Sequence, residues 1–140
     1  MLDTNIVSYF LRDADGGSIL SRKILSTPSA HLFITVITME EMLGGTLSYV
    51  QRVRLKPEVI GTYARFLEMF QVLQAFRVLP YSSEAERFFS DLPPESRRVG
   101  TQDCRIAAIA PTHAYTLVSA NAADFRKIGG VRVEDWTAPP

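Results

Sequence analysis

Short apolar runs along this chain alternate with stretches in which apolar residues recur every three or four positions. The run LFITVI at 32–37 contains only apolar and β-branched residues, which is typical of a strand buried on both faces. From 57 to 76 the apolar positions follow one helical stripe and predict a long amphipathic helix. The strands are predicted at 1–3, 32–37, 77–81, 115–119 and 131–135, and the helices at 4–13, 17–25, from Thr38, 57–76, 82–92, from Thr101 and 124–128.

A strand followed by a helix, repeated about five times, is the pattern of an α/β fold with a parallel sheet and helices on both faces. Glycine and proline add two local predictions. Gly44-Gly45 should interrupt the helix that begins at Thr38, and Pro111 should end or kink the helix from Thr101.

Length and charge limit the classes of protein that this chain can represent. Its 140 residues suffice for one core, so we expect residues 1–140 to form a single domain. Fifteen Lys and Arg residues balance fifteen Asp and Glu residues, which excludes a strong overall field towards nucleic acid or an anionic membrane. Any contact with RNA must therefore come from a local group of charges.

Cys104 is the only cysteine, which excludes an internal disulfide and a cysteine-based zinc site. The first residues lack the layout of a signal peptide, and the longest apolar runs are far too short to cross a membrane. We therefore expect a cytoplasmic protein without a membrane partner.

Four acidic residues each stand just beyond a short apolar run or at the start of a helix. They are Asp3, Glu41, Asp103 and Asp124. Because ligands bind along the rim formed by the carboxyl ends of parallel strands, we expect at least three of these acids to meet there. Asp103 joins them if the loop before its helix comes from the same side.

Each acid also has a purely structural explanation. Thr38 and Glu41 have the spacing of a capping box, and Asp103 lies in a first helical turn, where an acid favours the helix dipole. Asp3 and Asp124 could cap the helices that follow them. A pair of like charges at ~4 Å and an effective dielectric near 20 costs about 4 kcal/mol, whereas one cap contributes only about 1 kcal/mol. A cluster of the four therefore predicts a bound cation, and oxygen-only ligands point to Mg²⁺ or Mn²⁺.

The segments MLDTN, ITMEEMLGG, VGTQDCRIAAIA and LVSANAADFRKIGGVRVEDW resemble the acidic motifs of the PIN-domain ribonucleases. The resemblance is closest to the VapC-type toxins of bacterial toxin–antitoxin pairs. It implies a three-layer α/β/α sandwich around a mainly parallel sheet of about five strands. The family has several apolar residues before its first Asp and this chain has two, so we expect a minimal first strand or a start further upstream.

The resemblance also implies roles for individual residues. Glu41 rather than Glu40 matches the family acid, because an apolar pair and a glycine follow it. We expect Asp3 and Asp103 to bind the ion directly, and Glu41 and Asp124 to hold it through water. Further matches are positions that give polar support around the metal, namely Thr4, Asn5, Ser119 and Asn121.

The implied activity is metal-dependent hydrolysis of RNA phosphodiesters, leaving a 5′-phosphate and a 3′-hydroxyl. Neither histidine stands beside a motif acid, which agrees with chemistry that does not use the 2′-hydroxyl. One alternative is a catalytically inactive PIN-like module that binds RNA or protein. A second alternative is a haloacid-dehalogenase-type phosphotransferase, and Asn5 argues strongly against it because that class needs an Asp at this position.

Several surface features suggest partners. Arg98 and Arg126 flank the acid motifs and could hold RNA phosphates, although solvated surface arginine is an equally good interpretation. The region at about 46–76 carries more large apolar residues than one helical stripe needs, which suggests a protein interface. In the family this helical arm, with the dimer surface, receives a VapB-type antitoxin segment. The family also suggests a homodimer and transfer RNA as the substrate.

Overall fold

A computed structural model of the protein describes residues 1–53 and 56–139. Within these residues, helices dominate, and four short strands lie among them. The helices are α1 (Thr4–Arg12), α2 (Ile19–Ser26), α3 (Val36–Arg52), α4 (Lys56–Leu73), α5 (Ser83–Ser90), α6 (Thr101–Thr112) and α7 (Ala122–Arg126), with single 3₁₀ turns at Ser29–His31 and Ser96–Val99. The strands are β1 (Phe33–Thr35), β2 (Arg77–Leu79), β3 (Leu117–Val118) and β4 (Val133–Glu134).

The strands form two parallel pairs, β1 with β2 and β3 with β4. The first residues of the chain lie between the pairs, where the Leu2 amide donates to the Phe33 carbonyl at 2.7 Å and Leu2 also forms a parallel bridge with Val118. The α/β class with parallel strands is confirmed. The prediction of a central sheet of about five strands was wrong for the described residues. They form two short pairs of strands that are joined through Leu2.

The strands are short because capping residues start helices early. Asp3 is the N-cap of α1, and its carboxylate accepts a hydrogen bond from the Thr4 amide at 2.7 Å. Thr35 caps α3, with its hydroxyl oxygen accepting from the Thr38 amide at 2.9 Å. The predicted strand 32–37 therefore ends two residues early, and the helix predicted from Thr38 begins at Val36 instead.

Helix α3 runs without a break through Gly44-Gly45, so the predicted interruption was wrong. Each glycine costs a helix about 1 kcal/mol relative to alanine, but α3 packs along α4, and this packing holds the helix together. Pro111 behaves as expected, since it lies in the last turn of α6 and the helix ends at Thr112.

Two apolar clusters bury the strands from opposite sides. Phe33 and Leu117 belong to one cluster with α5 and α6, whereas their neighbours Ile34 and Val118 belong to the other with α1 and α2. Successive strand residues point to opposite faces. β1 and β3 are therefore covered by helices on both faces, which is the burial expected of parallel strands, whereas β2 and β4 are partly exposed.

The predicted helical arm at about 46–76 corresponds to the second half of α3 and to α4, and residues 54 and 55 within it lie outside the described residues. Leu73 packs in the core, while a stripe of α4 faces away from it. The stripe consists of Ile60, Tyr63, Leu67 and Phe70, which are 76%, 60%, 56% and 38% exposed.

None of the described helices is long and apolar enough to cross a membrane.

Candidate active site

Asp3 is the most buried of the four acids, with only 2% of its surface exposed. One carboxylate oxygen accepts from the Thr4 amide, and the other accepts from the Ser119 hydroxyl at 2.7 Å. The pKa of Asp3 is raised to about 6, mainly by burial and to a smaller extent by the negative charges of Asp103 and Glu41, while the hydrogen bonds from Ser119 and Thr4 oppose the rise. Acids from three separate segments therefore share one electrostatic environment.

Ser119 and Asn121 connect Asp3 to Asp124. The buried Ser119 oxygen donates to Asp3 and accepts from the Asn121 amide at 3.0 Å. The Asn121 side chain in turn donates to Asp124 Oδ2 at 2.8 Å. Asn5 supports the same turn, because its side-chain oxygen accepts from the backbone amide of residue 120 at 3.4 Å. The turn after β3 thus forms a continuous hydrogen-bonded path between two of the acids.

Glu41 lies in the second turn of α3 and is half-buried. The Thr4 hydroxyl donates to Glu41 Oε2 and so joins the start of α1 to α3. Because α3 is capped by Thr35, Thr38 is not the N-cap. The capping-box explanation of Glu41 was therefore wrong. Glu40 is exposed and bonds to Gln102 instead.

Asp103 lies in the first turn of α6, as predicted, and Gly100 is the N-cap of this helix. Burial raises the pKa of Asp103, and the negative charges of Glu41 and Asp124 add to this effect. Gly100 has φ +135°, and a Cβ atom at this position would lie 3.4 Å from Asp103 Oδ2. A larger residue at 100 would therefore strain the backbone and crowd the carboxylate.

Asp124 is in the first turn of α7, whose N-cap is Asn121, so a capping role for Asp124 was wrong. It forms an exposed ion pair with Lys127. Hydrogen bonds from Lys127 and Asn121 lower the pKa of Asp124. Sequence reasoning missed Lys127, although its spacing of three residues from an acid on a helix was a usable sign.

The arginines near the site differ in their surroundings. Arg98 and Arg126 are both exposed, and Arg126 lies near Asp135, whose pKa is lowered mainly by hydrogen bonds from Thr137 and in part by this arginine. Arg97 instead holds its own loop, because its guanidinium donates to backbone carbonyls at residues 90 and 92. Among the described residues, Arg98 and Arg126 form no such hydrogen bonds to loop carbonyls.

The donor set suits a hard divalent cation, since it consists of carboxylate oxygens with hydroxyl groups around them. Within residues 1–53 and 56–139, no group of three or more Asp, Glu, His or Cys side chains is placed so that it could hold a metal ion. Mg²⁺ does not need one, because proteins usually bind it through one or two carboxylates together with water and substrate phosphates. The residues present therefore fit Mg²⁺ or Mn²⁺.

The model of the PIN domain family matches residues 1–131 of this chain. The chain belongs to the PIN-domain family. Ribonuclease VapC1 from Rickettsia felis is 35% identical over 105 residues, which cover 72% of this chain and 73% of the relative. This PIN-domain protein therefore belongs to the VapC group, and the predicted family is confirmed.

Two further relatives match almost the whole length of this PIN-domain protein. The tRNA(fMet)-specific endonuclease VapC from Shigella flexneri is 23% identical over 137 residues, covering 98% of this chain and 97% of the relative. A chain in the crystal structure of DNA-bound VapBC from Salmonella typhimurium superposes with a TM-score of 0.70 at 28% identity, covering 97% of this chain and 96% of that one. The predicted enzyme class, a nuclease, is confirmed by this membership.

Proposed function

We propose that this PIN-domain protein is a Mg²⁺- or Mn²⁺-dependent endoribonuclease that acts as the toxin of a toxin–antitoxin pair. The observation that carries the proposal is the buried carboxylate of Asp3. Its pKa is raised by burial and by the charges of Asp103 and Glu41, which come from different parts of the chain. Such a group of like charges is unfavourable in a protein unless a cation neutralises it.

Asp3 and Asp103 would hold the ion directly, and Glu41 and Asp124 would hold it through water. When bound, a divalent cation makes water a stronger nucleophile and offsets the charge that develops on a phosphate. The hydrogen bonds from Ser119 and Thr4 favour the ionised form of Asp3, which is the form that binds a cation.

In the proposed reaction the oxygen of a water molecule bonds to phosphorus, and the bond from phosphorus to the 3′-oxygen breaks. The attacking water loses one proton and the 3′-oxygen gains one, so the products are a 3′-hydroxyl and a 5′-phosphate. The role of the polar side chains is to fix the acids around this phosphate. Thr4 fixes Glu41, Ser119 fixes Asp3 and Asn121 fixes Asp124.

We propose tRNA as the substrate class by analogy with a relative. The Shigella flexneri relative is named for its action on tRNA(fMet), and we extend tRNA to this chain. Arg98 and Arg126 are the proposed phosphate contacts, because both are exposed and flank the acid motifs in the sequence. Phosphate contacts position RNA without reading its sequence, so they do not select one tRNA.

The proposed partner is a VapB-type antitoxin, by analogy with the VapBC complex from Salmonella typhimurium. The exposed stripe of α4 that includes Tyr63 and Leu67 is its proposed contact surface, together with the surface of a homodimer. We further propose that residues 1–140 are a single domain in the cytoplasm. In that domain the four strands and residues 1–3 form the middle layer of a three-layer α/β/α sandwich.

The contact surface can be tested separately from the nuclease site. Leu67→Glu should abolish capture of the antitoxin encoded beside this protein, because a charge would be buried in an apolar interface. RNA cleavage by the same variant should stay at the wild-type rate. Intact capture by Leu67→Glu would exclude this stripe as the contact surface.

The proposed activity is tested with purified protein and end-labelled tRNA. Cleavage should require Mg²⁺ or Mn²⁺ and stop in EDTA, with a 5′-phosphate on the downstream fragment. Asp103→Asn should lower the rate by more than about a hundredfold, beyond the ten- to hundredfold loss typical of residues that only support a metal ligand. Asp15→Asn, in an exposed turn, is the matched control and should leave the rate unchanged.

The alternative function, a catalytically inactive binding module, makes the opposite prediction. Calorimetry would then show no binding of Mg²⁺ or Mn²⁺ to the wild type, and Asp103→Asn would leave RNA binding unchanged. Cleavage that continues at full rate in Asp103→Asn would contradict the assignment of the site.

A further inference from the structure

A glutamine side chain bridges the two helices that carry Glu41 and Asp103. The Gln102 amide nitrogen, on α6, donates to Glu40 Oε2 on α3 at 3.2 Å. The Gln102 amide oxygen accepts from the Arg105 guanidinium, also at 3.2 Å. Gln102 directly precedes Asp103, and Glu40 directly precedes Glu41. The bridge therefore lies beside two of the four acids.

Helices α3 and α6 carry like charges that face each other, and little packing holds the two helices together. The charge of Glu41 raises the pKa of Asp103, so the two helices present like charges to each other. Helix α6 packs mainly against α5 and only lightly against α3. Packing alone therefore fixes α6 to α5 better than it fixes α6 to α3.

The far end of the bridge is anchored in the α5 side of the molecule. The Arg105 guanidinium lies over the ring of Phe89, with 5.4 Å from its central carbon to the ring centroid. The contact restrains the arginine through a cation–π interaction. Gln102 thus links Glu40 on α3 to an arginine that contacts α5.

We propose that Gln102 is a positioning residue that sets the separation of Glu41 and Asp103 and thereby the affinity of the site for a divalent cation. The inference rests on the proposed metal-dependent function. Glutamine is suited to this place because it offers a donor to a carboxylate and an acceptor to a guanidinium. Glutamate would repel Glu40, and lysine would repel Arg105.

The first test is Gln102→Leu, which keeps the net charge and the approximate size of the side chain but removes both hydrogen bonds. Electron paramagnetic resonance measures free Mn²⁺ in the absence of RNA, so the readout does not depend on cleavage. Mn²⁺ binding should weaken by about threefold to tenfold, less than the ten- to hundredfold loss typical of direct support to a ligand, because Gln102 contacts Glu40 rather than Glu41 or Asp103. Gln71→Leu, on an exposed part of α4, is the matched control and should bind Mn²⁺ as the wild type does.

The second test reverses the direction of the bridge. In the double variant Glu40→Gln with Gln102→Glu, the amide at 40 donates to the carboxylate at 102, which still accepts from Arg105. The net charge equals that of the wild type. Mn²⁺ affinity should return to within about twofold of the wild-type value, because coupled residues show non-additive effects of this kind.

The outcomes separate the inference from the proposed function. If the wild type binds no Mn²⁺, the proposed function is overturned and the inference with it. If the wild type binds Mn²⁺ and Gln102→Leu binds it equally well, only the inference is overturned, even if the variant unfolds more easily. A double variant as weak as Gln102→Leu would also overturn it, because the bridge would then be present without its effect.

Discussion

The Ser119 hydroxyl donates a 2.7 Å hydrogen bond to the Asp3 carboxylate, which lies 116 residues earlier in the chain. Both side chains are buried, and the same Ser119 oxygen accepts from the Asn121 amide. One small hydroxyl therefore organises the most buried acid and the turn that leads to Asp124. The hydrogen bond also favours the charged form of Asp3 in surroundings that disfavour charge.

Replacing Ser119 with alanine should lower the free energy of unfolding by about 1–3 kcal/mol, because a buried carboxylate and a backbone amide both lose a partner. The pKa of Asp3 should rise further, since a bond that favours its ionised form is gone. Urea unfolding measures the first effect. Ser48→Ala, on the exposed side of α3, is the control and should stay within about 0.5 kcal/mol of the wild type. Equal stability of the two variants would contradict a structural role for the Ser119 bond.

The pH dependence of stability should report the Asp3 carboxyl group. Its pKa is about 6 in the folded protein against 3.8 for the ordinary group, so the folded state holds a proton that the unfolded chain releases. This contribution is complete below pH 3.8 and is lost as the pH rises to about 6. A shift of about 2 units corresponds to about 3 kcal/mol.

Asp3→Asn isolates this effect, because comparison with the wild type cancels the other groups that titrate in the same range. In EDTA, the variant should gain stability over the wild type by up to about 3 kcal/mol as the pH rises from 4 to 7.5. Urea unfolding at several pH values gives the difference. A difference that does not change with pH would mean that the folded-state pKa of Asp3 is not raised.

Lys127→Met should strengthen Mn²⁺ binding by about threefold, because the lysine no longer repels the ion or competes for an oxygen of Asp124. The free energy of unfolding should barely change, since exposed ion pairs contribute little to stability. Paramagnetic resonance and urea unfolding provide the two measurements, with Lys23→Met on α2 as the control. Weaker Mn²⁺ binding would instead mean that Lys127 holds Asp124 in the geometry that the ion needs.

Replacing both Arg98 and Arg126 with alanine should weaken RNA binding and flatten its salt dependence. Each lost phosphate contact lowers the slope of log K against log salt by about 0.7 for single strands. Binding by the inactive Asp103→Asn background gives the slope without cleavage. Arg22→Ala, exposed on α2, serves as the control. An unchanged slope would support the view that both arginines are ordinary solvated surface residues.

The positions of the acids could be predicted because each follows an apolar run or opens a helix, and parallel strands bring such positions to one edge. Strand length could not be predicted in the same way. LFITVI favours a strand over its whole length, but the Thr35 hydroxyl caps α3 and turns residues 36 and 37 into helix. The hydrogen bond from the Thr38 amide to the Thr35 hydroxyl oxygen therefore outweighs the strand propensity of residues 36 and 37.

The glycine pair at 44–45 illustrates a second limit. Glycine predicts a helix break from backbone entropy, yet α3 passes through both residues because α4 packs along it. Partners across helices are equally hidden in sequence. Gln102 meets Glu40 across 62 positions, and neither residue type is distinctive without the fold. Thr4 and Ser119 were predictable only through the resemblance of their motifs to a known family.

The pairing of the first residues with β3 also bears on the protein while it is being made. A chain still on the ribosome presents Asp3 long before Val118 and Ser119 leave the exit tunnel, so its buried acid has no strand beside it and no hydroxyl donor. An unfinished chain consequently lacks the assembled centre. The emergence of β3 and Ser119 from the tunnel therefore becomes the step before which the acidic site cannot assemble.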